Sequence, residues 1–439
     1  MTTANPRAFA VWFKDFGRWS VSSFFTVGWR WPRHVIRPLA AAIQRRFDPV
    51  DRAKVTFADL RLVTLHFDGE MESRDVEDKR DFKGKLFYAE PGDVVYSKID
   101  VRNGAIGVVP ASLHTVAVSA EYPVYRVLPD VAVAEYVKLV FRTAGFRQQI
   151  NTMTSGTSGR KRVQPSEVEQ IEVPFPALHV QRAIVRRWRD AQDEIDAAKE
   201  VLEKTIAALN ERIFSLYRAQ STPDVIHSRC FVLHFKDLEQ WDTKSTRAAA
   251  YRLACPSFRP MREFIEDATE SVRPFAEPEK DWPIYGVSKK EGVFFAGMKK
   301  GREFNAPCKR IRKDWFVHNP TRSAVGSLGI VPDVPEDAIT SPEYQVWRVK
   351  ETGEERLLPG YVAALVQTPF FIDLVQFYRV GTVKQRMYVQ NLRQVRLPCL
   401  DESEQRKYAE AREDAVRAIE EAKTHAEHAS TEVEEMILR

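Results

Sequence analysis

The segment FKDFGRW at 13–19 returns as FKDLEQW at 235–241, 222 residues later. The offset keeps working. RPL at 37–39 answers RPM at 259–261, Ile43 answers Ile265, and AIGVVP at 105–110 answers SLGIVP at 327–332. SAEYPVYRV at 119–127 answers SPEYQVWRV at 341–349 with six of nine residues identical. The offset then drifts to 225, pairing Tyr136-Val137 with Tyr361-Val362, Phe146 with Phe371 and Gly156-Thr157 with Gly381-Thr382. It settles at 224, pairing Arg162 with Arg386, Pro174 with Pro398 and Gln181-Arg182 with Gln405-Arg406. Ordered matches with a slowly changing offset mean one unit written twice. The period far exceeds the roughly 20–50 residues of solenoid repeats, so the unit is the size of a domain. Any fold for this chain must contain two related domains.

Each unit ends in a helix-forming stretch. After VPFPAL at 173–178, the residues Ile184, Trp188, Ala191, Ile195, Ala198, Leu202, Thr205 and Leu209 step alternately by four and three. That is an a/d heptad seam flanked by charges. The second copy steps through Tyr408, Ala411, Ala415, Ala418, Ala422, His425 and Ala429, then Val433 and Ile437. Each helix would be on the order of 55–60 Å long. One seam is bulky and the other mostly alanine, and large residues facing small ones fill space at native density. The seams therefore predict that the two helices pair, in antiparallel sense, through Ile184, Trp188, Ile195, Leu202 and Leu209 on one side and Tyr408, Ala415, Ala422 and Ala429 on the other. The alternative is that each helix packs on its own globular domain. In the globular blocks the runs FYAEPGDVVYSKID, RNGAIGVVP and EYPVYRVLP read as strands. VAEYVKLVFRTAGFRQQINTM reads as helix with a break at Gly145. The expected fold is α/β (α+β), with two tandem-duplicated mixed domains. Its boundaries are 1–176 for the first domain, 177–220 for a central spacer helix, 221–400 for the second domain and 401–439 for a C-terminal helix.

Chemistry is harder to find than architecture. No GxxxxGK[ST] phosphate loop is present, since Gly84-Lys85 is followed by Leu86. No glycine-rich dinucleotide or S-adenosylmethionine fingerprint appears, and NPT at 319–321 falls short of an amino-methyltransferase motif. No Ser/His/Asp or Cys/His set stands out. Cys230, Cys255, Cys308 and Cys399 form no CxxC, which argues against a zinc site or a disulfide framework. His425 and His428 read as a solvated helix face. No apolar run approaches the roughly 20 residues of a membrane span, and the first residues lack a signal-peptide pattern. The expectation is a cytoplasmic protein that binds rather than catalyses, with no catalytic residues, metal or cofactor of its own.

What it binds is suggested by charge. The net charge is +5 for 1–176, +1 for 177–220, +5 for 221–400 and −6 for 401–439. Two basic blocks permit a polyanionic partner. SGRKR places Arg160, Lys161 and Arg162 beside two glycines, where amides and cations could both face phosphate. The second copy offers Arg379, Lys384 and Arg386 at the matching place. KKGREFNAPCKRIRK at 299–313 carries Lys299, Lys300, Arg302, Lys309, Arg310, Arg312 and Lys313. SKIDVRNG adds Lys98, Arg102 and Asn103, and HNPTR adds Asn319 and Arg322. Arginine with asparagine or glutamine is the chemistry that reads guanine and adenine edges. Any one of these residues is more simply a solvated loop charge; as a set they point to double-stranded DNA.

Two copies of a basic domain, each followed by a long helix introduced by P-x-P-x-L-x-x-Q-R, resemble the specificity subunit of type I restriction–modification enzymes. Here the motif is Pro174, Pro176, Leu178, Gln181 and Arg182. In the second copy it is Pro398, Leu400, Gln405 and Arg406, with Cys399 and Asp401 around Leu400 where a second proline would be expected. The resemblance implies two target recognition domains held apart by helices that form an antiparallel coiled coil. It also implies a non-catalytic subunit that reads a bipartite target. Its expected partners are DNA, two methyltransferase subunits and restriction subunits. S-adenosylmethionine, ATP and Mg would then reside on those partners. A stand-alone DNA-binding regulator, or a DNA-modifying enzyme with an unrecognised site, are the alternatives.

Overall fold

The computed structural model describes residues 29–74, 84–152, 162–221, 224–228, 230, 232–237, 243–351, 356–381 and 383–439. FKDFGRW, the last four residues of FKDLEQW, Gly156, Thr157, Arg160, Lys161 and Thr382 lie outside the described residues. The chain divides into two compact units, one of residues 1–194 with 422–439 and the other of residues 195–421.

In the first unit the chain runs through β1 (Ile36–Pro38), β2 (Ile43–Arg46), the hairpin of β3 (Val63–Leu65) and β4 (Met71–Ser73), β5 (Leu86–Ala89), β6 (Val94–Tyr96), β7 (Ile106–Val108), β8 (Val116–Ser119) and β9 (Val124–Val127). Then follow α1 (Ala134–Arg142), α2 (Ala144–Thr152), α3 (Pro165–Glu169), β10 (Glu172–Pro174) and α4 (Leu178–Gln220). The central sheet is antiparallel in the order β2-β9-β6-β7. Alternation of side chains sends Val94 and Tyr96 into a core with Tyr136, Val140 and Phe141 of α1, and Val95 into a second core with Met71, Ala89 and Val116. With both faces covered, β6 reads as an unbroken apolar run. α1 stops at Thr143, which turns extended and whose Oγ1 accepts the Phe146 N–H at 3.3 Å. The helix break expected at Gly145 therefore falls two residues earlier, because a threonine can cap the next helix. Gly145 itself lies within α2, where a Cβ would meet the Trp29 ring at 3.1 Å.

The second unit repeats this plan: α5 (Thr243–Ala254), β11 (Arg259–Pro260), β12 (Ile265–Asp267), β13 (Ser271–Val272), β14 (Asp281–Ser288), β15 (Gly292–Lys300), β16 (Cys308–Arg310), β17 (Phe316–His318), β18 (Leu328–Ile330), β19 (Ile339–Thr340) and β20 (Gln345–Val349). Then come α6 (Pro359–Leu365), α7 (Pro369–Tyr378), α8 (Val389–Leu392), β21 (Arg396–Leu397) and α9 (Glu402–Leu438). The sheet β12-β20-β17-β18 has the order of β2-β9-β6-β7. Even single bonds recur: Leu39 N–H donates to Ile171 O at 2.9 Å, and Met261 N–H to Val395 O at 2.8 Å. The Leu62–Ala117 bridge reappears as the Ile284–Ile339 pair. Thr368 caps α7 through the Phe371 N–H as Thr143 does for α2. The largest difference in size is in one hairpin. The three-residue strands of the β3–β4 hairpin become eight- and nine-residue strands in β14–β15.

The motif before each long helix has a structural use. Gln181 is fully buried. Its Oε1 accepts the Val133 N–H at 2.9 Å, and its Nε2 donates to Val131 O at 2.9 Å and Pro176 O at 2.7 Å. Gln405 accepts the Leu358 N–H at 2.9 Å and donates to Leu400 O at 3.0 Å and Arg356 O at 3.5 Å. Each glutamine thus fastens the start of a long helix to the loop before α1 or α6. Buried backbone groups need such partners.

Within the first unit, Arg187 Nε on α4 meets Glu432 Oε2 on α9 at 2.8 Å, and Glu194 meets His425 at 3.3 Å. Numbers rise on one helix as they fall on the other, so the segments run antiparallel, as the seams predict. Within the second unit Arg212 grips Glu404 in a bidentate pair at 2.7 and 3.1 Å. Ile184, Ala422 and Ala429 are buried and Trp188 half-buried in the first unit; Leu209, Tyr408 and Ala415 are buried in the second. Ile195 and Leu202 are only half-buried. The alternative packing is also present. Ile184, Val433 and Ile437 join the core of the first unit, and Leu209 and Tyr408 that of the second. Pairing and packing on a domain coexist because a helix has more than one face. Among the described residues no single helix is long and apolar enough to cross a membrane, and no cluster of metal-ligating side chains occurs.

Candidate nucleic-acid interface

Both units build the same cradle between the end of a strand and a basic loop. In the second unit β17 ends at His318, and a turn follows through Asn319 to Ser327, closed by Gly326 at φ +87°. The loop after α7 folds back on that turn. Val380 and Arg386 exchange backbone hydrogen bonds at 2.9 and 2.8 Å, and Gly381 adopts φ +101°, a region only glycine enters at no steric cost. Met387 N–H donates to Pro320 O at 2.9 Å, next to the contact that Met387 O makes with His318. Trp347 Nε1–H donates to His318 Nδ1 at 3.2 Å, so Nε2 carries the proton and donates to Met387 O at 2.8 Å. Burial pushes the His318 pKa down to about 4, with the Met387 carbonyl opposing and Lys309 adding to the effect. His318 is therefore a neutral strut beneath the loop.

The first unit puts Tyr96 where the second has His318. Tyr96 OH donates to Val163 O at 3.4 Å, and Val163 N–H donates to Lys98 O at 2.8 Å. The turn after β6 closes at Gly104, φ +100°.

On these frames the candidate residues fall into two groups. Arg322 is exposed on the 319–327 turn and Lys384 is exposed at the tip of the 379–387 loop. Arg386 is half-buried beside it, and Arg379 Nη2 donates to Gln385 O at 3.0 Å and Thr321 O at 3.5 Å. Burial lowers the Arg379 pKa. These four converge. In the first unit Lys98, Arg102, Asn103 and Arg162 converge likewise, but with acids among them. Arg162 pairs with Glu121 at 3.0 Å, Asn103 Nδ2 reaches Asp100 at 3.4 Å, and Lys98 Nζ donates to Ala120 O at 2.8 Å.

The 299–313 run lies elsewhere. Lys299 and Lys300 end β15, about 25 Å along the strand from its first residue. Lys299 sits 5.0 Å from the Phe304 ring centroid, Lys300 lies 3.5 Å from Asp281, and Arg302 pairs with Glu279 at 2.8 Å. Arg310 donates to Glu336 O and Arg312 pairs with Glu270 at 2.8 Å. Lys309 donates to Tyr344 O, and burial lowers its pKa. These cations are engaged locally, although exposed pairs of this kind contribute little energy and can be exchanged for phosphate.

Two cations absent from the sequence reading join the converging group. Lys289 and Lys290 are exposed in the β14–β15 turn. A Cβ at Gly326 would lie 3.4 Å from Lys289 Cγ, and one at Gly329 would meet Gly292 Cα at 3.1 Å. The hairpin turn is therefore seated on the Arg322 turn. The signal that could have found them is the Lys-Lys-Glu-Gly turn between two strand-forming runs.

No family model matches the chain. The type I restriction enzyme EcoAI specificity subunit of Escherichia coli is 23% identical over 199 residues, a stretch that takes in 42% of this chain and 33% of that protein. Among solved structures, the HsdS subunit from Thermoanaerobacter tengcongensis aligns over 92% of this chain and 95% of that one, at 13% identity and a TM-score of 0.31. The S subunit of a type I restriction–modification system from M. genitalium aligns over 92% and 94%, at 10% identity and a TM-score of 0.43. The relatives of this duplicated chain are type I restriction–modification specificity subunits, and it is to them that the chain is similar.

Proposed function

We propose that the chain is the DNA-recognition subunit of a type I restriction–modification enzyme. Each unit reads one half of a bipartite duplex target through the cradle between its strand end and its basic loop. The observation that carries this reading is the duplication of that cradle with different side chains on it. A shared frame fixes how each reader meets the duplex, and unlike surfaces let the two half-sites differ. The chain itself performs no chemistry. Methyltransferase and restriction subunits dock on it and supply S-adenosylmethionine, ATP and Mg. Half-site spacing in such readers reflects protein geometry.

Selection of random duplex DNA by the purified full-length chain tests this. The expected outcome is two specified blocks separated by an unread gap of constant length, with neither methylation nor cleavage by the chain alone. A single contiguous motif, no enrichment, or turnover by the pure protein overturns the proposal.

A further inference from the structure

The β14–β15 turn and the β3–β4 turn occupy the same place in the two units and carry opposite charge. Phe67 is 222 residues before Lys289, and Asp68 is 222 before Lys290. Gly104, the counterpart of Gly326, would meet Phe67 O with a Cβ, as Gly326 would meet Lys289. Gly107 is packed on Gly69 of its hairpin turn, and its counterpart Gly329 is packed on Gly292 and Val293 at the end of the other. Gly69 and Gly292 both adopt positive φ, +75° and +66°. Both hairpin turns are therefore seated on the turn that follows the central strand, with the positive-φ glycine one position later in the second unit, and their side chains differ.

In the second unit the 319–327 turn, which carries Arg322, touches both the 288–292 turn with Lys289 and Lys290 and the 379–387 loop with Arg379, Lys384 and Arg386, and Glu291 is the single carboxylate in the sequence of these three segments. Among the described residues neither Lys289 nor Lys290 is ion-paired. In the first unit the turn presents Phe67, 60% exposed, followed by Asp68 and Glu70. Asp68 Oδ1 accepts the Glu70 N–H at 2.9 Å, and Glu70 pairs with Lys138 at 2.7 Å. An acidic turn repels a phosphate, whereas a turn with two unpaired ammonium groups beside an arginine-bearing loop attracts one.

We infer that the Lys289–Lys290 turn is a DNA-phosphate contact of the second unit and that its counterpart, Phe67–Asp68, makes no such contact in the first. This rests on the recognition reading and adds an electrostatic asymmetry between the two half-sites. Each phosphate neutralised contributes about −0.9 to the slope of log affinity against log salt.

The test uses the full chain and duplexes bearing both half-sites or cut back to a single half-site, titrated by fluorescence anisotropy from about 50 to 200 mM salt. Lys289→Ala with Lys290→Ala should make the slope shallower by about 2. The loss should persist when only the second half-site is present and vanish when only the first is. Phe67→Ala with Asp68→Ala should leave the slope unchanged. All four positions are exposed turn residues, and circular dichroism checks that each variant stays folded. A wild-type chain that binds while the lysine variant keeps its slope overturns this inference alone, as does an equal change from the Phe67 and Asp68 variant. A wild-type chain that binds no duplex overturns the recognition reading as well.

Discussion

Gln181 and Gln405 do the same work with the same atoms, whereas Phe67-Asp68 and Lys289-Lys290 share only their position. Between these extremes stand Tyr96 and His318, different side chains that both donate to the same carbonyl of the loop they support. The contrast shows where a duplicated chain is free to diverge. A buried glutamine that satisfies three backbone groups has no substitute of the same shape and bonding, so both copies keep it. A strut needs only a donor at the right height. A solvated turn needs only the backbone path that Gly69 or Gly292 allows, and its side chains can change sign.

The largest effect should come from breaking the shared clamp. Gln181→Ala strands one N–H and two carbonyls in a fully buried place, and each costs roughly 1–3 kcal/mol when left unpaired. A loss of about 4 kcal/mol is expected in the first unit. Gln405→Ala should cost about 3 kcal/mol in the second, because one of its bonds is long at 3.5 Å. Urea unfolding followed by a probe in each unit measures both. Losses near zero would show that the clamp is incidental.

Next in size is the strut. His318 has a folded pKa of about 4, below the ordinary 6.5. The folded state therefore binds fewer protons than the unfolded one. Stability is complete above pH 6.5 and declines as pH falls from 6.5 to about 4, by about 3 kcal/mol in all. Tyr96 does not titrate in this window, so the first unit lacks this contribution. Hydrogen exchange at pH 7 and pH 5, corrected for intrinsic rates, should show the Met387 amide losing protection while the Val163 amide does not. A parallel response of the two amides breaks the comparison.

The smallest expected difference sharpens it. Tyr136 OH donates to Pro174 O at 3.0 Å, but the hydroxyl of its counterpart Tyr361 is buried with no hydrogen-bond partner among the described residues. Tyr136→Phe should cost about 1 kcal/mol, and Tyr361→Phe should be neutral or stabilising. Thermal denaturation of the two variants decides it; equal costs would mean that Tyr361 has a partner after all.

The duplication, the two long helices and the strand runs were legible because each is a local or periodic property of the chain. The spacing of Ile184, Trp188 and Ala191 repeats along a single element, and the match of SAEYPVYRV with SPEYQVWRV needs no knowledge of contacts. The break at Thr143 was missed because Gly145 is the stronger breaker by propensity, whereas a cap depends on which N–H is left over. The candidate site was legible in part. Arg322, Arg379, Lys384 and Arg386 were chosen from sequence and do converge, but the 299–313 run looked equally basic and is held at the other end of β15 by Asp281, Glu279 and Glu270.

What the sequence determined by itself, then, is a unit written twice, its seams, and the buried glutamine that each copy repeats. The tertiary structure alone decided which cations meet. Lys289 reaches the Arg322 turn because Gly326 leaves room for it, and the 379–387 loop reaches that turn because Met387 N–H finds Pro320 O. It also decided that Val433 and Ile437, at the far end of the chain, complete the core that begins with Leu39. Backbone groups make such bonds whatever their side chains are, and cores close between residues hundreds of positions apart. Neither leaves a periodic trace along the chain.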